Sequence, residues 1–171
     1  MKTSFPWPTD WTTDERERWQ ALARMVASAQ LLGKKVVFVT GVFDVLHSEH
    51  RRFLERAQAA GDVLVVGIET DQRVREMKGP DRPRDNESTR LKKVSDLPTV
   101  DAAALLPVAF RKPEHYRAII DLLRPNSLAV SSHSPHQDKK QAILEAFGGT
   151  LEVVHEHNPL VSTTQILAEQ K

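Results

Sequence analysis

Two short runs, Val36-Val37-Phe38-Val39 and Val63-Leu64-Val65-Val66-Gly67-Ile68, constrain this chain more than any other feature. Neither alternates apolar with polar residues, so neither suits a sheet with one wet face. Both suit strands covered on two faces, the condition of a parallel sheet held between helical layers. Segments of helical spacing follow them at 50–60, 71–77, 88–95, 113–123, 137–147 and 163–169, and further short strands are expected at 102–108, 127–130 and 151–154. Strands alternating with helices of this length build βαβ units. The expected fold class is therefore α/β: a single Rossmann-like domain over residues 34–171, with a mostly parallel sheet of about five strands and helices on both faces. Residues 1–33 form an extension. In it Thr12-Thr13-Asp14-Glu15 reads as a capping box, and Trp19, Leu22, Val26 and Ala29 recur at helical spacing until Gly33. That predicts an amphipathic helix over 13–32, packed on the main domain or on a second subunit, so a homodimer is one expectation.

Bulk properties narrow the function by exclusion. A formal charge of +1 gives no general pull toward nucleic acid or an anionic membrane surface. No apolar stretch approaches the ~20 residues that span a bilayer, and residues 1–14 lack the apolar core of a signal peptide. With no cysteine there is no thiolate metal site and no disulfide framework. A cytoplasmic protein acting on small molecules is the expectation.

In an open parallel sheet ligands bind beyond the carboxyl ends of the strands. The first strand runs straight into Thr40-Gly41-Val42-Phe43-Asp44, then His47 and His50, three residues apart at the start of a helix. Gly41 permits a tight turn, and two imidazoles beside helix-terminal amides make an anion site. Attack on a nucleotide α-phosphate needs donors of this kind, placed where negative charge grows. An H-x-x-H spacing alone equally describes two surface histidines at a helix cap. Six of the seven histidines fall in pairs at expected strand ends, His47/His50, His133/His136 and His155/His157. A transition-metal site built from His47, His50, His133 and His136, with Glu49 nearby, is thus a further alternative.

The segment Val37-Phe38-Val39-Thr40-Gly41-Val42-Phe43-Asp44-Val45-Leu46-His47-x-x-His50 resembles the nucleotide-binding signature of the cytidylyltransferase-like nucleotidyltransferases, whose motif is H-x-G-H. The resemblance continues through Arg51-Arg52-Phe53-Leu54-Glu55-Arg56-Ala57, Lys78-Gly79-Pro80-Asp81-Arg82-Pro83 with Arg90, Leu123-Arg124-Pro125 and Val161-Ser162-Thr163-Thr164-Gln165-Ile166, so it covers residues 34–169. Within the family, heptose 1-phosphate adenylyltransferases are most similar and glycerol-3-phosphate cytidylyltransferases next. The resemblance implies transfer of AMP or CMP from ATP or CTP to a small phosphorylated acceptor, with Mg²⁺ arriving on the nucleotide. His47, His50 and Lys78 would be catalytic. Thr40, Gly41, Val42, Phe43, Ser162, Thr163 and Thr164 would join the two histidines around the nucleotide. Asp44, Lys78, Arg82, Arg90, Ser131 and His133 would face the acceptor.

Two departures stand out. Glu49 occupies the glycine position of the motif, beside a polyanion, where a like charge at about 4 Å costs roughly 1 kcal/mol in water-like surroundings and about 4 kcal/mol where shielded. The loop Ser131-Ser132-His133-Ser134-Pro135-His136 lacks the glycine that its relatives carry. A nucleotide-binding or regulatory module without transfer chemistry is therefore the alternative to an enzyme.

Overall fold

The computed structural model describes residues 5–156 and Ala168. His157, Ser162, Thr163 and Thr164 lie outside the described residues. The strands are β1 (Val36–Gly41), β2 (Val63–Ile68), β3 (Ala102–Leu105), β4 (Ser127–Ser131) and β5 (Thr150–His155). Six helices accompany them among the described residues: α1 (Thr13–Leu31), α2 (Ser48–Ala59), α3 (Asp71–Lys78), α4 (Glu87–Ser95), α5 (Pro113–Leu123) and α6 (Gln137–Glu145). The sheet order is β3-β2-β1-β4-β5, and every neighbouring pair is parallel.

Successive strand residues face opposite sides, and each side has its own core. Val36, Phe38, Val65, Leu128 and Val130 join Trp19, Ile119 and Ile120 beneath α1 and α5. Val37, Val39, Leu64, Val66 and Ala129 join Leu54, Ala57 and Val94 beneath α2 and α4. The two apolar runs read as doubly covered strands are therefore buried along β1 and throughout β2, with only the exit of β1 partly open.

The helix boundaries follow local chemistry. Thr12 caps α1 reciprocally: its hydroxyl accepts from the Glu15 amide at 3.2 Å, and Glu15 accepts the Thr12 amide at 2.7 Å. The other Glu15 oxygen accepts from the Val108 amide at 2.7 Å, and the Trp19 indole donates to the Leu105 carbonyl at 3.0 Å. Helix α1 thus lies on its own sheet, anchored to the exit of β3. That strand stops at Leu105 rather than running to residue 108, because Pro107 has no N–H to give a ladder. Helix α2 begins at Ser48, two residues earlier than its apolar spacing suggests, with His47 as N-cap. No helix among the described residues is long and apolar enough to cross a membrane.

One feature of the sheet makes room for a ligand. All six residues of β1 pair in register with β2, whereas β1 and β4 pair only at Val37–Ser127 and Phe38–Leu128. Beyond those pairs the two strands lose their ladder. The chain order also reverses direction here, β1 leading to β2 on one side while β4 lies on the other, and this is where a doubly wound sheet opens a crevice.

Candidate functional site

At that crevice lies a cavity of about 480 Å³. Its floor is the exit of β1. A Cβ on Gly41 would come within 2.7 Å of the Phe43 ring, so the ring folds back over a bare backbone. Phe43 and the β-branched Val45 both take left-handed backbone angles, φ 52° and 49°. Such conformations cost about 1–3 kcal/mol each and persist only where the surroundings enforce them. The corner they make delivers His47 and His50 side by side. The two imidazoles stack at 3.7 Å between centroids, tilted by 20°, and the edge of Phe43 closes on His50 at 5.5 Å. Both Nδ1 atoms are buried without a hydrogen-bond partner among the described residues.

Burial lowers the pKa of His50 to about 3, helped by the neighbouring His47 and Lys78 against the opposing pull of Asp44. His47 is lowered too, by burial, with Glu49 opposing. Two neutral imidazoles therefore await an anion, whose arrival would favour their protonated, donating form.

Lys78 reaches the same cavity from the end of α3. Asp44 explains how. Its buried carboxylate accepts from the Arg84 and Asp85 amides at 3.0 Å and pairs with the Arg82 guanidinium at 2.7 Å, clasping the loop after α3 against the β1 exit. Burial alone would raise the Asp44 pKa, but these amides and Arg82 outweigh it and hold the carboxylate below its usual range. Burial and Arg82 in turn push the Lys78 ammonium down.

Of the residues expected from sequence, Thr40, Gly41, Val42, Phe43, Asp44, His47, His50, Lys78, Ser131 and His133 all line this cavity. The two arginines do not. Arg82 is spent on Asp44. Arg90 is a correction: fully buried, it donates to the Asp85 and Val42 carbonyls at 3.0 and 2.7 Å and to Asp71 at 2.7 Å. With each nitrogen of its guanidinium donating to protein oxygens, it braces the β1 exit from behind and does not line the cavity. The four histidines considered for a metal are divided, since His136 borders a different cavity. The described residues hold no group of three or more His, Cys, Asp or Glu side chains placed to share an ion.

Glu49 lines the cavity, but its charge is occupied. One oxygen accepts from Arg52 at 2.8 Å and the other meets His155 Nε2 at 3.1 Å, while Arg56 lies 3.1 Å from His155 Nδ1. Arginine can only donate, so Nδ1 accepts and Nε2–H is left to donate to Glu49. The carboxylate is thus turned toward the end of β5.

Sequence reasoning gave no role to Glu69 and Lys140, which line the cavity from the end of β2 and from α6. For Glu69 there was a signal: an acid placed directly after a wholly apolar strand. Burial pushes its pKa up to about 7 against the pull of Arg73, Arg90 and Lys140, and one of its oxygens is buried and unpartnered.

The model of the cytidylyltransferase-like family matches residues 38–169 of this chain. The chain is 35% identical over 135 residues to the bifunctional protein HldE of Geotalea uraniireducens (strain Rf4), a match that covers 78% of this chain and 26% of that protein. It is 30% identical over 152 residues to the bifunctional protein HldE of Trichlorobacter lovleyi, covering 86% and 29%. The chain thus spans about a quarter of the length of these curated relatives. Among solved structures it is similar to the lipopolysaccharide core biosynthesis protein from Thermoplasma volcanium, with a TM-score of 0.58, 25% identity, and coverage of 73% of this chain and 97% of the other. The pantoate-beta-alanine ligase from Francisella tularensis shares the fold alone, with a TM-score of 0.53 and 13% identity over 90% of this chain and 74% of that one.

Proposed function

The chain belongs to the cytidylyltransferase-like family, and from that premise we propose that it moves AMP, or less readily CMP, from a nucleoside triphosphate to a phosphorylated sugar or polyol, releasing pyrophosphate. One observation carries this reading: His47 and His50 at the start of α2 and Lys78 at the end of α3 converge on one cavity at the β1–β4 crevice. The name of the Thermoplasma relative, a lipopolysaccharide core biosynthesis protein, favours a sugar phosphate as acceptor.

In this reaction an oxygen of the acceptor phosphate forms a bond to the α-phosphorus, and the bond from that phosphorus to the bridging oxygen breaks. Pyrophosphate leaves with the electron pair. Charge grows on the bridging and non-bridging oxygens, where the imidazoles and the Lys78 ammonium stabilise it. Mg²⁺ would be brought by the nucleotide. The described residues offer no cage for it, and the Asp44 carboxylate is engaged by Arg82 and two amides. The ion would be held by phosphates and water, as its hydration favours.

Glu49 on the cavity wall favours one competing reading, a nucleotide-binding module that has lost transfer. Its pairing with His155 and Arg52 weighs against that, because a compensated carboxylate repels a phosphate chain less. Pyrophosphate release measured with each of four nucleoside triphosphates against a panel of sugar and polyol phosphates separates the two. Turnover in the natural protein, lowered about 10²–10³-fold in His50→Ala, is expected. Nucleotide binding by calorimetry with no release in any pairing, or release only in Glu49→Gly, sinks the enzyme reading.

A further inference from the structure

Beside the cavity just described lies another of about 370 Å³, sharing with it the wall formed by Thr40, Glu69, Met77, Pro135 and Lys140. Its size is that of a small-molecule site, and its chemistry is lopsided. Arg73, Arg111, Lys112, Lys139 and Lys140 border it, against the single carboxylate of Glu69. Part of that charge is met from outside: Arg73 and Arg111 share Glu76 at 3.5 and 2.6 Å, and Lys112 lies 3.8 Å from Asp10 and 3.7 Å from Glu114. One shared acid does not neutralise two guanidiniums, and the lysines of α6 add to the excess.

A second observation points to a ligand. Three side-chain atoms from residues bordering this cavity are buried with no hydrogen-bond partner among the described residues: a Glu69 carboxyl oxygen, Arg73 Nε and the Tyr116 hydroxyl. A folded protein leaves few such groups, and each costs about 1–3 kcal/mol when unmet. The residues around one space thus carry an unmet acceptor, an unmet charged donor and an unmet neutral donor. Together they ask for an anionic group and a hydroxyl.

We propose that this second cavity receives a second anionic group on the acceptor, a phosphate or a carboxylate, with a hydroxyl of the same molecule hydrogen-bonded to Glu69 at the junction. This rests on the transfer reaction above and names its substrate class: a sugar or polyol phosphate that is anionic at both ends. The attacking phosphate sits in the larger cavity near Lys78, and the distant anion passes Glu69 to reach Arg73, Arg111 and Lys139. With its pKa near 7, Glu69 can accept from a hydroxyl as carboxylate or donate to one as acid, so it suits a neutral group better than another anion. Lys140, whose ammonium donates to Ser134 at 2.8 Å, faces both compartments.

The test compares three acceptors on the full chain: a hexose 1-phosphate, the hexose 1,6-bisphosphate and the hexuronic acid 1-phosphate. Binding is read by calorimetry and turnover by pyrophosphate release with ATP. The bisphosphate or the uronate should bind about tenfold or more tightly than the monophosphate, as charge-assisted hydrogen bonds to arginine and lysine predict. The better of the two identifies the anion. In the double variant Arg111→Gln, Lys139→Gln, which alters only exposed side chains, that ratio should fall toward one. Equal binding of all three acceptors, or a ratio that the double variant does not move, overturns the proposal. Failure of the transfer reaction is separately visible. Tight binding of a doubly anionic ligand that the variant loses, with no pyrophosphate from any acceptor, leaves this site standing without the chemistry. Turnover of all three acceptors at one affinity leaves the chemistry standing without this site.

Discussion

Two glutamates face the large cavity from either side of β1, and they stand in opposite conditions. Glu49, on α2, has both oxygens engaged, by Arg52 at 2.8 Å and by His155 at 3.1 Å. Glu69, after β2, keeps one buried oxygen without a partner and has its pKa pushed up to about 7. By sequence alone Glu49 was the anomaly, because it fills a position where the family carries glycine, while Glu69 marked only the end of a strand. The structure reverses their standing. An acid beside a phosphate site is tolerable when its neighbours hold its charge, and it becomes informative when they do not.

The largest loss of stability expected from breaking this contrast comes from His155→Ala. It removes the buried partner of Glu49 while leaving the acid in place on a side chain 10% exposed. Removing the neutral donor from a hydrogen bond to a buried carboxylate costs about 1.5–3 kcal/mol. A loss of about 2 kcal/mol in urea unfolding is expected, together with weaker nucleotide binding. The double variant His155→Ala, Glu49→Gly should recover most of both. If His155→Ala costs less than about 1 kcal/mol, or if the double variant is no better than the single, the pairing does not restrain Glu49.

Glu69→Gln probes the other wall, with an effect that depends on pH. The folded-state pKa of Glu69 is about 7 against an ordinary 4.5. Between those values the folded protein holds a proton that the unfolded chain has released. The contribution is therefore fully present below about 4.5 and is lost as pH rises through 7. Glutamine has nothing to lose, so its stability relative to the natural protein should climb by about 3 kcal/mol across that window and then level off. The natural protein alone would hide this. His50, lowered from 6.5 to about 3, gains stability as pH rises over an overlapping range, since its unfolded form binds the proton there. Only the difference between variant and parent isolates Glu69. A difference that stays flat from pH 4.5 to 7.5 would mean that the Glu69 carboxyl is hydrated and ordinary.

The same contrast explains what could be read from the sequence. The apolar runs at β1 and β2, the Thr12 capping box and the helix from Pro113 to Leu123 were legible because each is set by residues within a few positions of one another. His47 and His50 were legible for the same reason. The errors and omissions involve partners distant in sequence. Arg90 was expected at a phosphate, yet its partner Asp71 lies 19 residues away and its other contacts are backbone carbonyls that no composition reveals. Local spacing did hold a hint, since Val94, one turn further along α4, is also buried and marks that face as inward. Glu49 and His155 are 106 residues apart, and only the packing of α2 against the end of β5 brings them together. A charged residue in a sequence states its sign. Whether the charge is exposed, paired or stranded is decided by the tertiary structure.

The smallest effect should come from Arg52→Ala, which separates the two partners of Glu49. Arg52 and Glu49 are a turn apart on α2 with a contact of 2.8 Å, shorter than the 3.1 Å to His155. Distance alone would rank Arg52 as the stronger restraint. Its side chain is 63% exposed, however, whereas that of His155 is 8% exposed. A solvated guanidinium gives up little water-screened attraction when removed, and it regains side-chain entropy, so such pairs contribute about 0–1 kcal/mol. Arg52→Ala is therefore expected to change urea stability by less than about 1 kcal/mol and to leave the preference among nucleotides as it was. Its effect should also shrink as salt is added, while that of His155→Ala should not, because a buried pair is screened far less. Equal losses in the two variants at low salt, disappearing together at high salt, would mean that Glu49 is held by surface charge rather than by the buried imidazole.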